Sequence, residues 1–164
     1  MINVTDTMID KVKDFVLEGV DFSKRNFQAK EDEFWQALQE TGTEIWLDSG
    51  DMDAVRENWT EEMSALTTNN TLLNKEIQKG IYDDFILKAA DILGDLSLDE
   101  KVMEIAFILN ARHGARLVDE FGCKVSVELH TDLSFDLEGI VNYGKRFHDI
   151  APDNFIVKVP YTST

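Results

Sequence analysis

The spacing of apolar residues along the chain predicts helices and strands in alternation. Apolar residues three or four positions apart predict helices over about 6–20, 31–39, 51–59, 73–93, 97–121 and 135–148. Short apolar runs predict strands at about 44–50, 64–70, 124–130 and 154–159. A capping-box signature at Ser97 and Glu100 begins the fifth helix, Gly122 ends it, and Ser134 is placed to cap the sixth.

This order predicts an α/β fold with a parallel sheet, because a helix between successive strands lets them run in the same direction. We expect residues 1–43 to form an N-terminal helical segment and residues 44–164 to form the sheet with its helices. Polar side chains stand at or near the C-terminal ends of the predicted strands, namely Asp48, Thr68, Asn69, Glu128 and Lys158. In a parallel sheet these ends share one edge, and in a (β/α) barrel that edge carries the active site.

Two of these residues have a structural and a chemical interpretation. Lys158 lies within an apolar run, where an uncompensated ammonium group is unfavourable. Either its side chain extends to solvent or meets a carboxylate, or it is a desolvated nucleophile that forms a Schiff base with a carbonyl substrate. Asp48 either caps the helix that follows it or transfers protons. Two acids, an amide and a lysine at successive strand ends favour catalysis.

Composition excludes several classes of function. Acidic residues outnumber basic ones 32 to 16, and the net charge of -16 argues against nucleic acid or an anionic membrane as a partner. Cys123 is the only cysteine, so an intrachain disulfide is impossible. The histidines lack the spacing of metal ligands. With no apolar stretch of membrane-spanning length and no signal-peptide pattern, we expect a cytoplasmic protein.

Five segments resemble motifs of the transaldolase family and occur in that family's order. They are 45–51 (IWLDSGD), 66–70 (LTTNN), 125–129 (VSVEL), 133–136 (LSFD) and 156–160 (IVKVP). The resemblance covers the chain from about Glu44 to its end. It implies a (β/α)8 barrel of TIM type and a class I aldolase mechanism that uses no metal and no cofactor.

The resemblance also implies a role for each polar strand end. Lys158 matches the lysine that attacks the ketose carbonyl and forms the Schiff base. Glu128 matches the acid that exchanges protons through a water during imine formation. Asp48 matches the acid/base that takes the proton from the hydroxyl next to the cleaved bond. Three residues at one strand end are expected to bind the dihydroxyacetone unit: Asn69, Thr67 and Thr68.

The sequence departs from the family in two respects. Asn70 stands where the family commonly has proline, which we expect to affect the turn more than the chemistry. A barrel of this type needs about 250 residues, whereas this chain has 164 and ends after the fourth predicted strand. We therefore expect the first half of a barrel, without the later groups that bind sugar phosphate. A complementary C-terminal half or self-association is the expected partner, besides sugar-phosphate substrates.

Three functions fit these observations. The first is a transaldolase-like transfer of dihydroxyacetone between sugar phosphates, of the kind found in the pentose phosphate pathway. The second is a fructose-6-phosphate-type aldolase, which needs no acceptor aldehyde. The third is an inactive half-barrel that assembles with another half, and for the isolated chain we expect little or no activity.

Overall fold

The computed structural model describes residues 5–160, and it confirms the alternation of helices and strands. The strands are β1 (Ile45–Asp48), β2 (Met63–Thr67), β3 (Lys124–Glu128) and β4 (Phe155–Lys158). The helices are α1 (Asp6–Val16), α2 (Glu33–Gln39), α3 (Met52–Asn58), α4 (Asn70–Ile77), α5 (Asp83–Ile92), α6 (Leu98–Phe121) and α7 (Leu137–Ile150). A 3₁₀ turn, Thr131–Leu133, lies between β3 and α7.

The strands form one parallel sheet in the order β1-β2-β3-β4, with β1 and β4 at its two edges. Within the described residues the sheet is open, and its topology is that of consecutive βα units of a TIM-type barrel. Asp48 pairs with Thr67 in the register, and Glu128 pairs with Lys158. The predicted α/β fold is therefore confirmed, and the polar strand ends share one edge of the sheet.

One face of the sheet packs against the helices. Val127 and Phe155 lie under Gly114 of α6, where an added Cβ atom would come within 2.8 Å and 3.0 Å of their side chains. Glycine at this position therefore permits the close approach of α6 to the sheet. Val125 is also fully buried, and Val157 packs against the same core. Val125 and Val127 of β3 and Phe155 and Val157 of β4 thus face the helices.

The opposite face is only partly covered, and we call it the open face. Trp46 on this face is 41% exposed, and Ile156 is half-buried. At the central strands the open face carries the small residues Ala65 and Ser126, which are buried. Side chains alternate between the two faces along a strand. Glu128, two residues after Ser126, and Lys158, two residues after Ile156, therefore project from the open face as well.

Two details of the helices differ from the sequence prediction. The helix predicted over 73–93 is divided into α4 and α5, because Gly80 between them adopts a positive φ of 75°. The N-cap of α7 is Asp136, whereas Ser134 directly follows the 3₁₀ turn, and its hydroxyl donates to the main-chain oxygen of Thr131. Sequence periodicity identified these helices but not their local ends.

The segment before β1 packs onto the outer layer of helices. Phe15 of α1 stacks on Phe85 of α5 with ring centroids 4.1 Å apart. Arg112 of α6 donates a hydrogen bond of 2.8 Å to the main-chain oxygen of Val16. Val12 and Val16 are buried in the same core as the sheet. This segment therefore stabilises α5 and α6 and lies away from the open face.

Candidate active site

Lys158 ends β4 and projects from the open face next to Glu128 of β3. Its Nζ atom lies 4.0 Å from Glu128 Oε1, and the two side chains are 36% and 20% exposed. The apolar run around Lys158 predicted a buried strand. The strand is instead an edge of the described sheet, so the lysine side chain is only half-buried. The amine is consequently accessible to a ligand on the open face.

The turn between β2 and α4 holds both charged side chains through main-chain groups. Lys158 Nζ donates to the carbonyl oxygen of Thr68, which lies across β3 from it. The main-chain N–H of Asn70 donates to Glu128 Oε2 at 3.0 Å. The amine and the carboxylate thus each have a main-chain hydrogen-bond partner. They do not form a close ion pair with each other.

The same turn contains the three residues predicted to bind substrate. Thr67 ends β2 and is half-buried, whereas Thr68 is only 1% exposed. Asn69 is the N-cap of α4, because its Oδ1 accepts a hydrogen bond of 2.9 Å from the main-chain N–H of Leu72. The NH₂ group of Asn69 is the part of its side chain that remains for a ligand.

Asp48 ends β1 at the other edge of the sheet and is exposed. It pairs with Thr67 in the register, two strands away from Glu128. The helix that follows is capped by Asp51, whose carboxylate accepts two main-chain N–H groups of α3. The structure thus removes the capping interpretation of Asp48, although no contact among the described residues joins it to Lys158.

Two amides support Glu128: Asn110, which lies in no sequence motif, and Asn70, whose contact with Glu128 the motif at 66–70 did not predict. Asn110 of α6 is 5% exposed. Its Nδ2 donates to the main-chain oxygen of Glu128 at 2.7 Å and to Asn70 Oδ1 at 3.3 Å. Asn70 Nδ2 donates in turn to the main-chain oxygen of Leu129 at 3.1 Å. Asn70 therefore contacts a candidate catalytic carboxylate and does not act on the turn alone. The sequence feature that could have identified Asn110 is an uncharged polar residue among the apolar residues of a helix.

A buried histidine lies beneath the loop that follows β1. His113 of α6 is 1% exposed, and an added Cβ atom on Gly50 would lie 3.5 Å from its Nε2. Its Nδ1 lies 2.8 Å from the hydroxyl of Tyr82, and Arg116 donates to that hydroxyl oxygen at 3.1 Å. Burial lowers the pKa of His113 to about 4, so the imidazole is neutral at pH 7. It supports the loop next to Asp48 as an uncharged group.

The remaining polar candidates lie outside this arrangement. His130 accepts a hydrogen bond of 3.3 Å from the main-chain N–H of Asp132 and begins the 3₁₀ turn. Cys123 is buried, and burial raises the pKa of its thiol to about 12. Among residues 5–160, no three His, Cys, Asp or Glu side chains converge as metal ligands. None of the helices in this part of the chain has the length and apolar character needed to cross a membrane.

Comparison with known proteins identifies the family of the chain. A search among curated proteins found no match. A family model described as transaldolase/fructose-6-phosphate aldolase matches residues 45–164, which is well over half of the chain. The match begins at the first residue of β1 and includes every predicted site residue. The chain therefore belongs to the transaldolase/fructose-6-phosphate aldolase family.

Proposed function

We propose that this chain, when assembled with itself or with a complementary half, has transaldolase-type activity, in which Lys158 carries a dihydroxyacetone unit from a ketose phosphate to an aldose phosphate as a Schiff base. The observation that carries the proposal is an accessible amine beside a carboxylate at the C-terminal edge of the parallel sheet. Amines in such sites add to ketones, and the family favours that chemistry over a purely structural lysine.

Glu128 is proposed to move protons while the imine forms. The Lys158 amine adds to the ketone carbon, and the carbonyl oxygen then leaves as water once it has gained protons. The 4.0 Å between Nζ and Oε1 is too long for a direct hydrogen bond and suits a bridging water. Through such a water, Glu128 can deliver and receive the protons that this step requires.

Asp48 is proposed as the acid/base for carbon–carbon cleavage. It takes the proton from the hydroxyl on the carbon next to the bond that breaks, and an aldehyde leaves. The bonding electrons pass to the imine, which becomes an enamine and then adds to the acceptor aldehyde in the reverse sequence. Asp48 is exposed and caps no helix, so its carboxylate is available for this role.

The dihydroxyacetone unit is proposed to bind over the end of β2. Asn69 donates from its NH₂ group to a substrate hydroxyl, because its oxygen already caps α4. Thr67 offers a hydroxyl at the end of β2. Thr68 is buried, and its contribution is the main-chain oxygen that orients the amine of Lys158.

Reduction with borohydride in the presence of dihydroxyacetone tests the proposal. We expect a covalent adduct on Lys158, located by peptide mass spectrometry. Lys158→Met should abolish the adduct. Lys124→Met, at the opposite end of the neighbouring strand, is the matched control and should leave it unchanged. An adduct that persists in Lys158→Met would refute the proposal.

An aldolase of the fructose-6-phosphate type is the second candidate, because the matched family includes both activities. Release of an aldehyde from a ketose phosphate without any acceptor identifies the aldolase. Product formation that requires an acceptor aldehyde identifies the transferase.

A further inference from the structure

We propose that Asn70 is a positioning residue for Glu128, acting through its main-chain N–H, and that Asn110 fixes the strand end from which Glu128 projects. The inference rests on the proposed function, since the orientation of this carboxylate matters to the reaction only if Glu128 takes part in imine formation.

The two oxygens of the Glu128 carboxylate have different neighbours. Oε2 accepts the N–H of Asn70 at 3.0 Å, whereas Oε1 lies 4.0 Å from Lys158 Nζ. The terminal torsion of a glutamate is broad, so a free carboxylate would rotate. A hydrogen bond to a charged oxygen is among the stronger kinds, and here it directs the other oxygen toward the lysine.

Asn110 ties the strand end to the turn. Its Nδ2 donates to the main-chain oxygen of Glu128 at 2.7 Å and to Asn70 Oδ1 at 3.3 Å. The side chain is nearly inaccessible to solvent, so water would not replace these bonds fully if they were removed. The backbone of Glu128 and the N–H that binds its carboxylate are thereby held by one side chain of α6.

The position of Asn70 in α4 allows its N–H to be removed selectively. Asn70 is the first residue of the helix, where an N–H has no partner within the helix and proline is well tolerated. The preceding Asn69 has φ −152° and ψ 169°, an extended conformation compatible with a following proline. Asn70→Pro removes the N–H and the side chain, whereas Asn70→Ala removes the side chain alone.

A control for proline at a helix start exists elsewhere in the chain. Leu98 is the first residue of α6, its side chain is 77% exposed, and the preceding Ser97 has an extended ψ of 161°. Leu98→Pro therefore introduces the same residue at the same helical position, away from Glu128.

The experiment measures the rate of borohydride-trapped imine formation at Lys158 against dihydroxyacetone concentration. We expect a maximal rate roughly tenfold lower for Asn70→Pro than for Asn70→Ala, the effect of losing one hydrogen bond to a charged group. The half-saturating concentration should not change, and Leu98→Pro should match the unmodified chain. Equal maximal rates for the two Asn70 variants would overturn the inference, as would a change confined to the half-saturating concentration.

A second measurement needs no reaction. The amide proton resonance of Asn70 should lie downfield because its N–H donates to the Glu128 carboxylate, and Glu128→Gln should move it upfield. A resonance that does not respond to Glu128 would overturn the inference. If the unmodified chain forms no adduct at Lys158, the proposed function fails, and this resonance still decides whether Asn70 holds the carboxylate.

Discussion

Glu128 and Lys158 are register partners on adjacent strands, yet their charged groups are 4.0 Å apart because a third segment binds each of them. The N–H of Asn70 binds the carboxylate, and the carbonyl of Thr68 binds the amine. A direct ion pair would close the gap between the two groups, whereas a separation of 4.0 Å leaves room for a bridging water. The turn after β2 therefore shapes the site as much as the two strands do.

Lys158→Arg should abolish imine formation while the fold is kept. A guanidinium retains the charge and the length of the side chain, but it cannot act as this nucleophile. We expect no borohydride adduct and a thermal midpoint close to that of the unmodified chain. Lys124→Arg is the control and should still form the adduct. An adduct in Lys158→Arg would contradict the proposal that Lys158 is the nucleophile.

The two acids should act on different steps. Asp48→Ala should slow carbon–carbon cleavage by roughly a hundred- to ten-thousand-fold and still allow the trapped adduct. Glu128→Ala should slow formation of the adduct itself. Trapping and cleavage of a ketose phosphate are measured side by side. Small and equal effects of both changes would show that the carboxylates are structural.

Asp51→Ala provides the matched comparison for Asp48. Asp51 caps α3 and also forms an ion pair with Lys79, whose hydrogen bond holds the pKa of this carboxyl below its usual value. Loss of the cap should lower the free energy of unfolding by about 1 kcal/mol without changing the trapping rate. Asp48→Ala should instead leave the urea midpoint unchanged and slow carbon–carbon cleavage of a ketose phosphate, a step that Asp51→Ala should not affect. A loss of stability in Asp48→Ala of the size seen for Asp51→Ala would mean that Asp48 also stabilises the loop.

His113 should make the protein less stable in mild acid. Its pKa falls from 6.5 to about 4 on folding, because burial disfavours the charged ring and the nearby Arg116 and Lys79 repel it. Between pH 6.5 and about pH 4, the unfolded chain therefore binds more protons than the folded protein. The free energy of unfolding should thus fall as the pH drops from 6.5 to 4, by roughly 3 kcal/mol. Urea denaturation at pH 7 and pH 5 measures this loss, which should be smaller in His113→Gln. An equal loss of unfolding free energy in His113→Gln and the unmodified chain would contradict the prediction.

The buried pair between α6 and α7 should be sensitive to loss of one partner. Arg146 donates two hydrogen bonds of 2.7 Å to Glu104, which is 0% exposed. Arg146→Met leaves that carboxylate buried without its cation, which should lower the free energy of unfolding by about 3–5 kcal/mol. Lys24→Met removes an exposed pair with Asp21 and should leave the free energy of unfolding nearly unchanged. Similar urea midpoints for the two variants would contradict the prediction.

We propose that the isolated chain associates with itself or with a complementary half and has little activity alone. Within the described residues, the outer backbone groups of β1 and β4 have no neighbouring strand. Trp46 and Val159, at these two edges, are 41% and 49% exposed. Unpaired edges and exposed apolar side chains favour association. Sedimentation combined with an activity assay tests this, and a cooperatively melting monomer with normal turnover would contradict it.

The sequence by itself determined the order of the elements and the polar strand ends. Ser97 with Glu100 and Gly122 identified the ends of α6, because capping depends on residues within one helical turn. The apolar runs identified all four strands of the described sheet, and they placed Glu128 and Lys158 near the C-terminal ends of two of them. Such features are local, so periodicity and residue type are sufficient to predict them.

Only the tertiary structure decided how these residues are held. The N–H of Asn70 meets the Glu128 carboxylate across 58 positions of sequence, and Asn110 joins the strand end from a third element. The half-exposed state of Lys158 follows from the position of β4 at an edge of the sheet, and not from the apolar residues beside it. Asp48 remains available because Asp51 caps the helix instead. These outcomes depend on strand register and on which elements pack together, and neither is encoded in the spacing of apolar residues along one segment.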